Sequence, residues 1–196
     1  MTEVTKTLYL ISGPMGAGKT AVSEQLVKQL PQAVMLDGDW CWAMDPFVVN
    51  DATKAMVMDN IQHLLNAFIQ APDLVNIVFC WVMDEQAIID DVLAGLTMQG
   101  VRLVNVSLMP SAEKLTQNIT ADIRAGIRTA DAIPQAIARL PKFAAVNSIK
   151  LDTTDLVPAQ AAAMISKLPH YAENCRSSSR MQRHTAGVCV LIPADI

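Results

Sequence analysis

The stretch GPMGAGKT has residue types and spacing that suit the binding of a phosphate group. The pattern GxxxxGK[ST] begins at Gly13 and ends at Thr20. Glycines let the loop wrap tightly, so that successive backbone N–H groups face a phosphate at the positive end of the following helix. Lys19 would bridge the phosphate oxygens as a point charge, and the Thr20 hydroxyl would ligate Mg²⁺. We therefore predict a phosphate site formed by Gly13, Pro14, Met15, Gly16, Ala17, Gly18, Lys19, Thr20 and Ala21.

The two flanks of this stretch have the periodicities that such a loop requires. Thr7 to Ser12 is a short apolar and β-branched run, which predicts a buried strand that stops at the turn. Apolar residues at helical spacing from about Lys19 to Leu30 predict a helix that Pro31 ends. A glycine turn between a strand and a helix could also serve chain reversal alone. A strand before the motif and a helix after it favour the phosphate-binding interpretation.

Strands and helices alternate along the rest of the chain up to Leu168. Five short apolar runs separated by amphipathic segments predict an α/β fold, with a parallel sheet covered by helices on both faces. We expect the segment from Leu115 to Phe143 to form helices broken by a mobile turn, because it contains Gly126, Pro134 and Pro141. The strands are predicted at residues 7–12, 33–36, 77–83, 102–108 and 148–151, and the helices at 19–30, 51–69, from 84, from 111 and at 158–168.

Composition limits the classes of partner. The 196 residues suit one domain at residues 1–168, followed by a C-terminal extension at 169–196 that we expect to be loosely attached. A net charge of −4 provides no basic surface for nucleic acid. The longest purely apolar run, Ile77 to Met83, is too short to span a membrane. We expect a cytoplasmic protein, a monomer or a homodimer, with reduced cysteines.

The phosphate motif, LDGDW after the second strand, and an arginine-bearing segment before LDTTD together resemble the small-molecule kinases of the P-loop class. Gluconate kinase, adenylylsulfate kinase, shikimate kinase and chloramphenicol phosphotransferase belong to this group. The resemblance covers Thr5 to about Leu168. It implies a five-stranded sheet in the order 2-3-1-4-5, ATP and Mg²⁺ as cofactors, and a lid at about residues 115–143. NSIKLDTT stands where a GTPase would carry its guanine-reading motif, which disfavours a GTPase.

The resemblance assigns roles to acidic and basic residues. Asp37 and Asp39 match the acidic positions of the DGD motif. One of them, with Asp39 preferred, would accept the proton of the acceptor hydroxyl or hold Mg²⁺ through water, and Asp37 is a candidate for both the metal and the substrate site; the alternative is a simple Asx turn. Asp84 follows the third strand and is either a metal-side carboxylate or a helix N-cap. Arg124 and Arg128 resemble lid arginines that clamp the phosphate, or they are solvated side chains on helices. Asn118 stands where many of these kinases have an arginine.

Three tryptophans are candidates for the acceptor site. Trp40 and Trp42 follow the DGD motif and could form walls of a pocket, since indoles pack well against sugars and bases. Trp81 lies in the third predicted strand and could be part of the pocket floor or of the core. The segment between the second and third strands contains Lys54 and no arginine. We therefore expect a weakly charged hydroxyl compound, such as a sugar acid, nucleoside or aminoglycoside-like molecule, with Asp45 and His63 also available to bind it.

Two other functions remain open at this point. A nucleoside or nucleotide kinase has the same phosphate loop and differs in the acceptor that it uses. A regulator that binds ATP without transferring a phosphoryl group is favoured by Asn118 at the usual arginine position. Acceptor-dependent release of ADP distinguishes both from the small-molecule kinase that we predict.

Overall fold

The computed structural model of the chain describes residues 6–168, 181–183 and 189–191. A seven-stranded sheet forms the centre, with helices on both faces. The strands are β1 Lys6–Ser12, β2 Ala33–Asp37, β3 Asn76–Cys80, β4 Val101–Met109, β5 Ile149–Asp152, β6 Met181–Arg183 and β7 Cys189–Leu191. The helices are α1 Lys19–Gln29, α2 Asp51–Gln70, α3 Gln86–Ala94, α4 Ala112–Arg124, α5 Ala132–Ala145 and α6 Pro158–Ile165, with a short 3-10 helix at Gly38–Trp42.

The first five strands are parallel and lie in the order β2-β3-β1-β4-β5. This order and the α/β class confirm the predicted fold. β1 is central and pairs with β3 on one side and β4 on the other, so that its carboxyl end, where the phosphate motif begins, lies between two neighbours. Parallel strands end at one edge of the sheet, and that edge collects the loops that follow β1, β2 and β3.

Two strands that the sequence did not predict extend the sheet beyond β5. β7 pairs with β5 in parallel, and β6 pairs with β7 in antiparallel orientation. Both come from the predicted C-terminal extension, whose other residues lie outside the described ones. The domain boundary at residue 168 and the loose attachment of the extension stay predictions.

The two faces of the sheet have separate cores. Tyr9 and Ile11 of β1 face the side that α1 and α6 cover, where Leu26 and Ile165 are fully buried. Leu8 and Leu10 alternate to the other side and pack beneath α2 and α3. Burial of side chains of this size contributes roughly 1.5–3 kcal/mol each, so the alternation in β1 fixes which helices cover which face. None of the helices in the described ranges combines the length and the apolar character needed to cross a bilayer.

The predicted lid segment contains α4, α5 and the turn between them. Leu115 and Ile119 of α4 pack against Ala132 and Ala136 of α5 in a third cluster. The predicted break between helices lies at the turn that contains Gly126, whereas Pro134 and Pro141 both lie within α5. Pro134 lies in the first turn, where backbone N–H groups have no intrahelical acceptor. Pro141 removes only the donor to the Ile137 carbonyl.

A buried chain of polar side chains links three strands on the face that carries α2 and α3. Ser12 and Ser107 hydroxyls lie 2.8 Å apart, and Ser107 and Ser148 hydroxyls 2.6 Å apart. The Lys150 ammonium donates to Ser148 Oγ and to the Val146 carbonyl, 2.6 Å away. Burial lowers the pKa of Lys150 to about 8. The folded protein therefore favours the neutral form of Lys150 more than the unfolded chain does.

We expect this lysine to make stability depend on pH. The pKa of Lys150 is lower in the folded protein than in the unfolded chain. Between about pH 8 and pH 10.5, the ordinary pKa of lysine, the unfolded chain therefore binds more protons at this residue than the folded protein does. The contribution of Lys150 to the free energy of unfolding should rise across that interval by up to ~3 kcal/mol, and by less where solvent still reaches the ammonium. The buried thiol of Cys80, whose pKa is raised to about 12, contributes in the opposite direction above about pH 9, so the contribution of Lys150 is measured as the difference between the protein and Lys150→Met. Urea denaturation at several pH values measures the rise. Lys150→Met should remove it, and parallel pH profiles of the two proteins would contradict the prediction.

Candidate functional site

The loop after β1 has the backbone conformation of a phosphate cradle. Gly13, Gly16 and Gly18 have φ angles of 150°, 80° and 84°, values that residues with a side chain rarely adopt. A Cβ atom on Gly16 would lie 2.6 Å from Ile119 Cγ1, and one on Gly13 would lie 2.9 Å from the Leu108 carbonyl oxygen. The first amides of α1 point out of the helix start without intrahelical acceptors. These features fit the phosphates of a nucleotide.

Lys19 lies over this loop. Its ammonium donates to the Pro14 carbonyl, 3.1 Å away, on the far side of the loop. Burial lowers the pKa of Lys19, and the carboxylates of Asp39 and Asp37 oppose that effect. The ammonium is thus poorly solvated and close to both acidic residues of the DGD motif, as expected of a charge placed to compensate an anion.

Thr20 connects the phosphate loop to the end of β2. Its hydroxyl donates to Asp37 Oδ2 at 2.7 Å, and Asp37 Oδ1 accepts from the Asp39 amide at 3.0 Å. The second bond forms an Asx turn, which was the alternative interpretation of the DGD motif, and it caps the 3-10 helix. Asp37 is buried. The described residues contain no group of three or more His, Cys, Asp or Glu arranged to hold a metal, but a hydroxyl and a carboxylate this close are hard oxygen donors that fit Mg²⁺.

Asp39 is exposed and is held by Trp81. The indole Nε1–H of Trp81 donates to Asp39 Oδ1 at 3.1 Å. The same ring lies on Gly38, where a Cβ atom would come within 2.5 Å of Trp81 Cγ. Only a glycine allows the indole to lie this close to the backbone. The structure therefore brings together three candidate residues, Asp37, Asp39 and Trp81, at the carboxyl ends of β2 and β3.

Asp84 faces the lid helix α5. Its buried Oδ2 lies 3.7 Å from Arg139 Nη1 and 3.8 Å from Lys142 Nζ. The alternative that Asp84 caps the next helix is wrong, because Glu85 occupies the N-cap position of α3. Lys142 also bonds Glu85 at 2.9 Å, and this contact lowers the pKa of the Glu85 carboxyl. Asp84 thus attaches α5 to the loop after β3.

We expect Asp84→Ala to loosen α5 without unfolding the protein. The cations are half-exposed, so the lost ion pairs should cost about 1 kcal/mol. Amide hydrogen exchange in α5 should accelerate about fivefold, while exchange in the central strands stays unchanged. Asp91→Ala, at an exposed position of α3, is the matched control. Unchanged exchange in α5 would show that these pairs do not hold the helix.

Of the two predicted lid arginines, Arg128 lies closer to the phosphate loop. Its positive charge lowers the pKa of Lys19, while its own Nε donates to Asp122 Oδ2 at 2.9 Å. Arg124 is exposed at the end of α4. A cavity of about 340 Å³ lies between the phosphate loop and the turn that joins α4 to α5. It is lined by Met15, Gly126, Ile127, Arg128, Thr129, Asp131, Ala132 and Gln135.

The remaining predicted acceptor residues lie in and after the 3-10 helix. Trp42 is half-buried and contacts Phe47, with ring centroids 5.9 Å apart. Trp40 is largely exposed, so it is not a core residue. Asp45 and His63 are exposed as well. Phe47 was not among the residues predicted from the sequence. Its position shortly after the DGD motif was the only sign that it could contact an acceptor.

Asn118 contacts the phosphate loop directly. Its side-chain amide donates to the Gly16 carbonyl at 2.9 Å, and the neighbouring Ile119 fills the space where a Cβ on Gly16 would lie. In the sequence, Asn118 was notable only because many of the similar kinases have an arginine at that position. In the structure it fixes α4 to the loop, which a guanidinium reaching outward would not do.

A family model described as an AAA domain matches residues 10–122, more than half of the chain. The chain belongs to the AAA domain family. The match begins in β1 and extends through most of α4, so it includes the phosphate loop and the DGD motif of this AAA domain. No curated protein sequence matches it significantly.

Several solved structures have a fold similar to that of this AAA domain. The Deinococcus radiodurans tunicamycin resistance protein has a TM-score of 0.63 at 17% identity, covering 84% of this chain and 95% of that one. A gluconokinase from Sinorhizobium meliloti 1021 has a TM-score of 0.60 at 16% identity, covering 89% and 97%. Shikimate kinase from Acinetobacter baumannii, in complex with shikimate, has a TM-score of 0.60 at 20% identity, covering 87% and 96%. The resemblance to P-loop small-molecule kinases is confirmed for the fold.

Proposed function

We propose that this protein transfers the γ-phosphoryl group of ATP to a hydroxyl of a small molecule. The observation that carries the proposal is the 2.7 Å bond from Thr20 to Asp37, because it joins the nucleotide loop to the acidic turn that follows β2. Phosphoryl transfer needs a phosphate cradle, charge compensation and an oriented nucleophile within one short distance. This edge of the sheet has residues for each of these needs. The names of the similar kinases support the same reaction class.

The phosphate loop would bind the nucleotide. The amides between Gly13 and Ala21 would contact the phosphate oxygens, and Lys19 would turn from the Pro14 carbonyl to them. Thr20 and Asp37 would hold Mg²⁺, with Asp84 a further candidate carboxylate near it. Bound Mg²⁺ neutralises charge on the phosphates. Arg128 and Arg124 would add positive charge from the lid, as lysine and arginine clamps do at transferring phosphoryl groups.

Asp39 would orient the acceptor hydroxyl and accept its proton. Trp81 occupies Oδ1 of this carboxylate, which leaves Oδ2 for the acceptor. The indole N–H fixes the orientation of the carboxylate. Trp81 is thus a positioning residue in the proposal. Trp40 and Trp42, which lie directly beyond Asp39 in the 3-10 helix, would contact the acceptor.

The test is ADP release by the purified protein with Mg²⁺ATP across sugar acids, nucleosides, nucleotides and aminoglycosides. We expect at least one acceptor to raise the rate well above the acceptor-free rate, and Asp39→Asn to abolish the increase. A strict preference for nucleoside monophosphates would instead favour a nucleotide kinase. ATP binding with no turnover on any acceptor would contradict the transfer proposal and favour a nucleotide-binding regulator.

A further inference from the structure

Residues 40–49, after the DGD motif, present an unusual number of apolar side chains to solvent. Trp40 is 57% exposed, Phe47 67% and Val49 55%. Val48 is also exposed, and the ring of Trp42 contacts the ring of Phe47. We call Trp40, Trp42, Phe47, Val48 and Val49 the apolar surface. Exposed apolar side chains grouped in one short segment of a folded protein commonly mark a binding site.

The apolar surface begins at the residue that follows Asp39, the residue proposed to orient the acceptor. Asp39 and Trp40 are consecutive residues in the 3-10 helix, and Asp39 is fixed by Trp81 on the other side. Trp42 lies at the end of the same short helix. A molecule whose hydroxyl contacts Asp39 could therefore lay its remaining part on Trp40 and Phe47.

The charges around this surface are unfavourable for an anion. Between Gly38 and Gly100, Lys54 is the only lysine or arginine. Its ammonium lies 3.8 Å from Asp51 Oδ1, so its charge is already compensated. Asp39, Asp45 and Asp51 are all exposed in the same part of the chain. A carboxylate or phosphate on the acceptor would approach the negative charges of Asp39 and Asp45, since Asp51 is set against Lys54.

We propose that the acceptor is an uncharged or cationic hydroxyl compound with an apolar or aromatic part. The inference rests on the proposed transfer reaction and narrows its acceptor. The apolar part binds on the apolar surface, while the hydroxyl contacts Asp39. The carboxylates of Asp39 and Asp45 disfavour sugar acids and monophosphates. Burying the exposed indole and phenyl rings supplies affinity that an uncharged acceptor cannot obtain from ion pairing.

The experiment uses a library of hydroxyl compounds matched in size, in which anionic, neutral and cationic members each occur with and without an aromatic group. Binding is measured by tryptophan fluorescence in the presence of a non-hydrolysable ATP analogue, and turnover by ADP release. We expect binding and turnover to concentrate in the neutral and cationic aromatic members. Val49→Lys should weaken that binding at least tenfold and leave nucleotide affinity unchanged.

Leu103→Lys is the matched control, because it also places a lysine at an exposed apolar position, but in the first half of β4, away from the carboxyl ends of the strands. It should change neither binding nor turnover. Preference for anionic members, or no binding by any neutral or cationic member, would overturn the inference. A concentration-dependent dimer that Val49→Lys dissociates would also overturn it, since a second copy would then cover the surface. Binding of the expected members without turnover would contradict only the transfer reaction.

Discussion

Lys19→Ala should reduce kcat/KM for phosphoryl transfer about 10³-fold while the protein stays folded. The variant removes the one cation that lies over the phosphate loop, and charge compensation of this kind is worth several kcal/mol in a poorly solvated site. The fold should survive because the Pro14 carbonyl keeps a second donor, the Ala17 amide at 3.1 Å. Steady-state ADP release gives the rate, and circular dichroism with thermal melting gives the folded state.

Lys28→Ala provides the comparison for this variant. Lys28 is exposed in the last turn of α1, so the substitution removes the same charge from the same helix without touching the loop. Its turnover should equal that of the unaltered protein. If Lys19→Ala is folded and turns over normally, the loop does not bind the transferred phosphate.

Asp39→Asn should lower kcat about 10²–10⁴-fold with little change in the KM for ATP, because an amide of the same shape cannot accept the acceptor proton. The Trp81 indole can still donate to the side-chain amide oxygen that the substitution introduces, so the turn should keep its shape. Trp81→Phe should have a smaller effect of a different kind. Without the indole N–H, the carboxylate is no longer held in one orientation, so kcat should fall about tenfold and the KM for the acceptor should rise.

Asp59→Asn, at an exposed position of α2, is the control for loss of one negative charge. It should leave kcat and the KM for the acceptor unchanged. If Asp39→Asn keeps full turnover, the base is another group. If Trp81→Phe leaves kcat and the acceptor KM unchanged, the indole does not position the carboxylate.

Local patterns in the sequence were enough to predict the five parallel strands and the phosphate loop. Each depends on neighbouring residues: the apolar run of β1, which is buried along almost its whole length, and the glycines that reach positive φ. The strand order came from the resemblance. β6 and β7 are three residues long, too short for a periodicity to register. Pro141 lies within α5, close to the fully buried Phe143 in sequence, although proline lacks the N–H donor that the preceding turn would use.

The contacts that organise the site could not be predicted, because they join residues far apart in sequence. Trp81 and Asp39 are 42 residues apart, and Asn118 and Gly16 are 102 apart. The motif analysis identified Asp39 as a candidate base, but no pattern in one sequence indicates that an indole would hold it. Asp84 was expected near the metal or at a helix start, and its contact with α5 depends on how the lid packs.

The bond between Asn118 and Gly16 bears on the order in which substrates can bind. Because Asn118 and Ile119 attach α4 to the loop, we expect α4 to move with the loop. Rearrangement of the lid would then be left to the turn at Gly126, where φ is 72°, and to α5 beyond it. In the proposed reaction, the loop would keep its shape whichever position α5 takes. Neither substrate would have to create the site of the other, and we therefore expect random addition rather than a compulsory sequence.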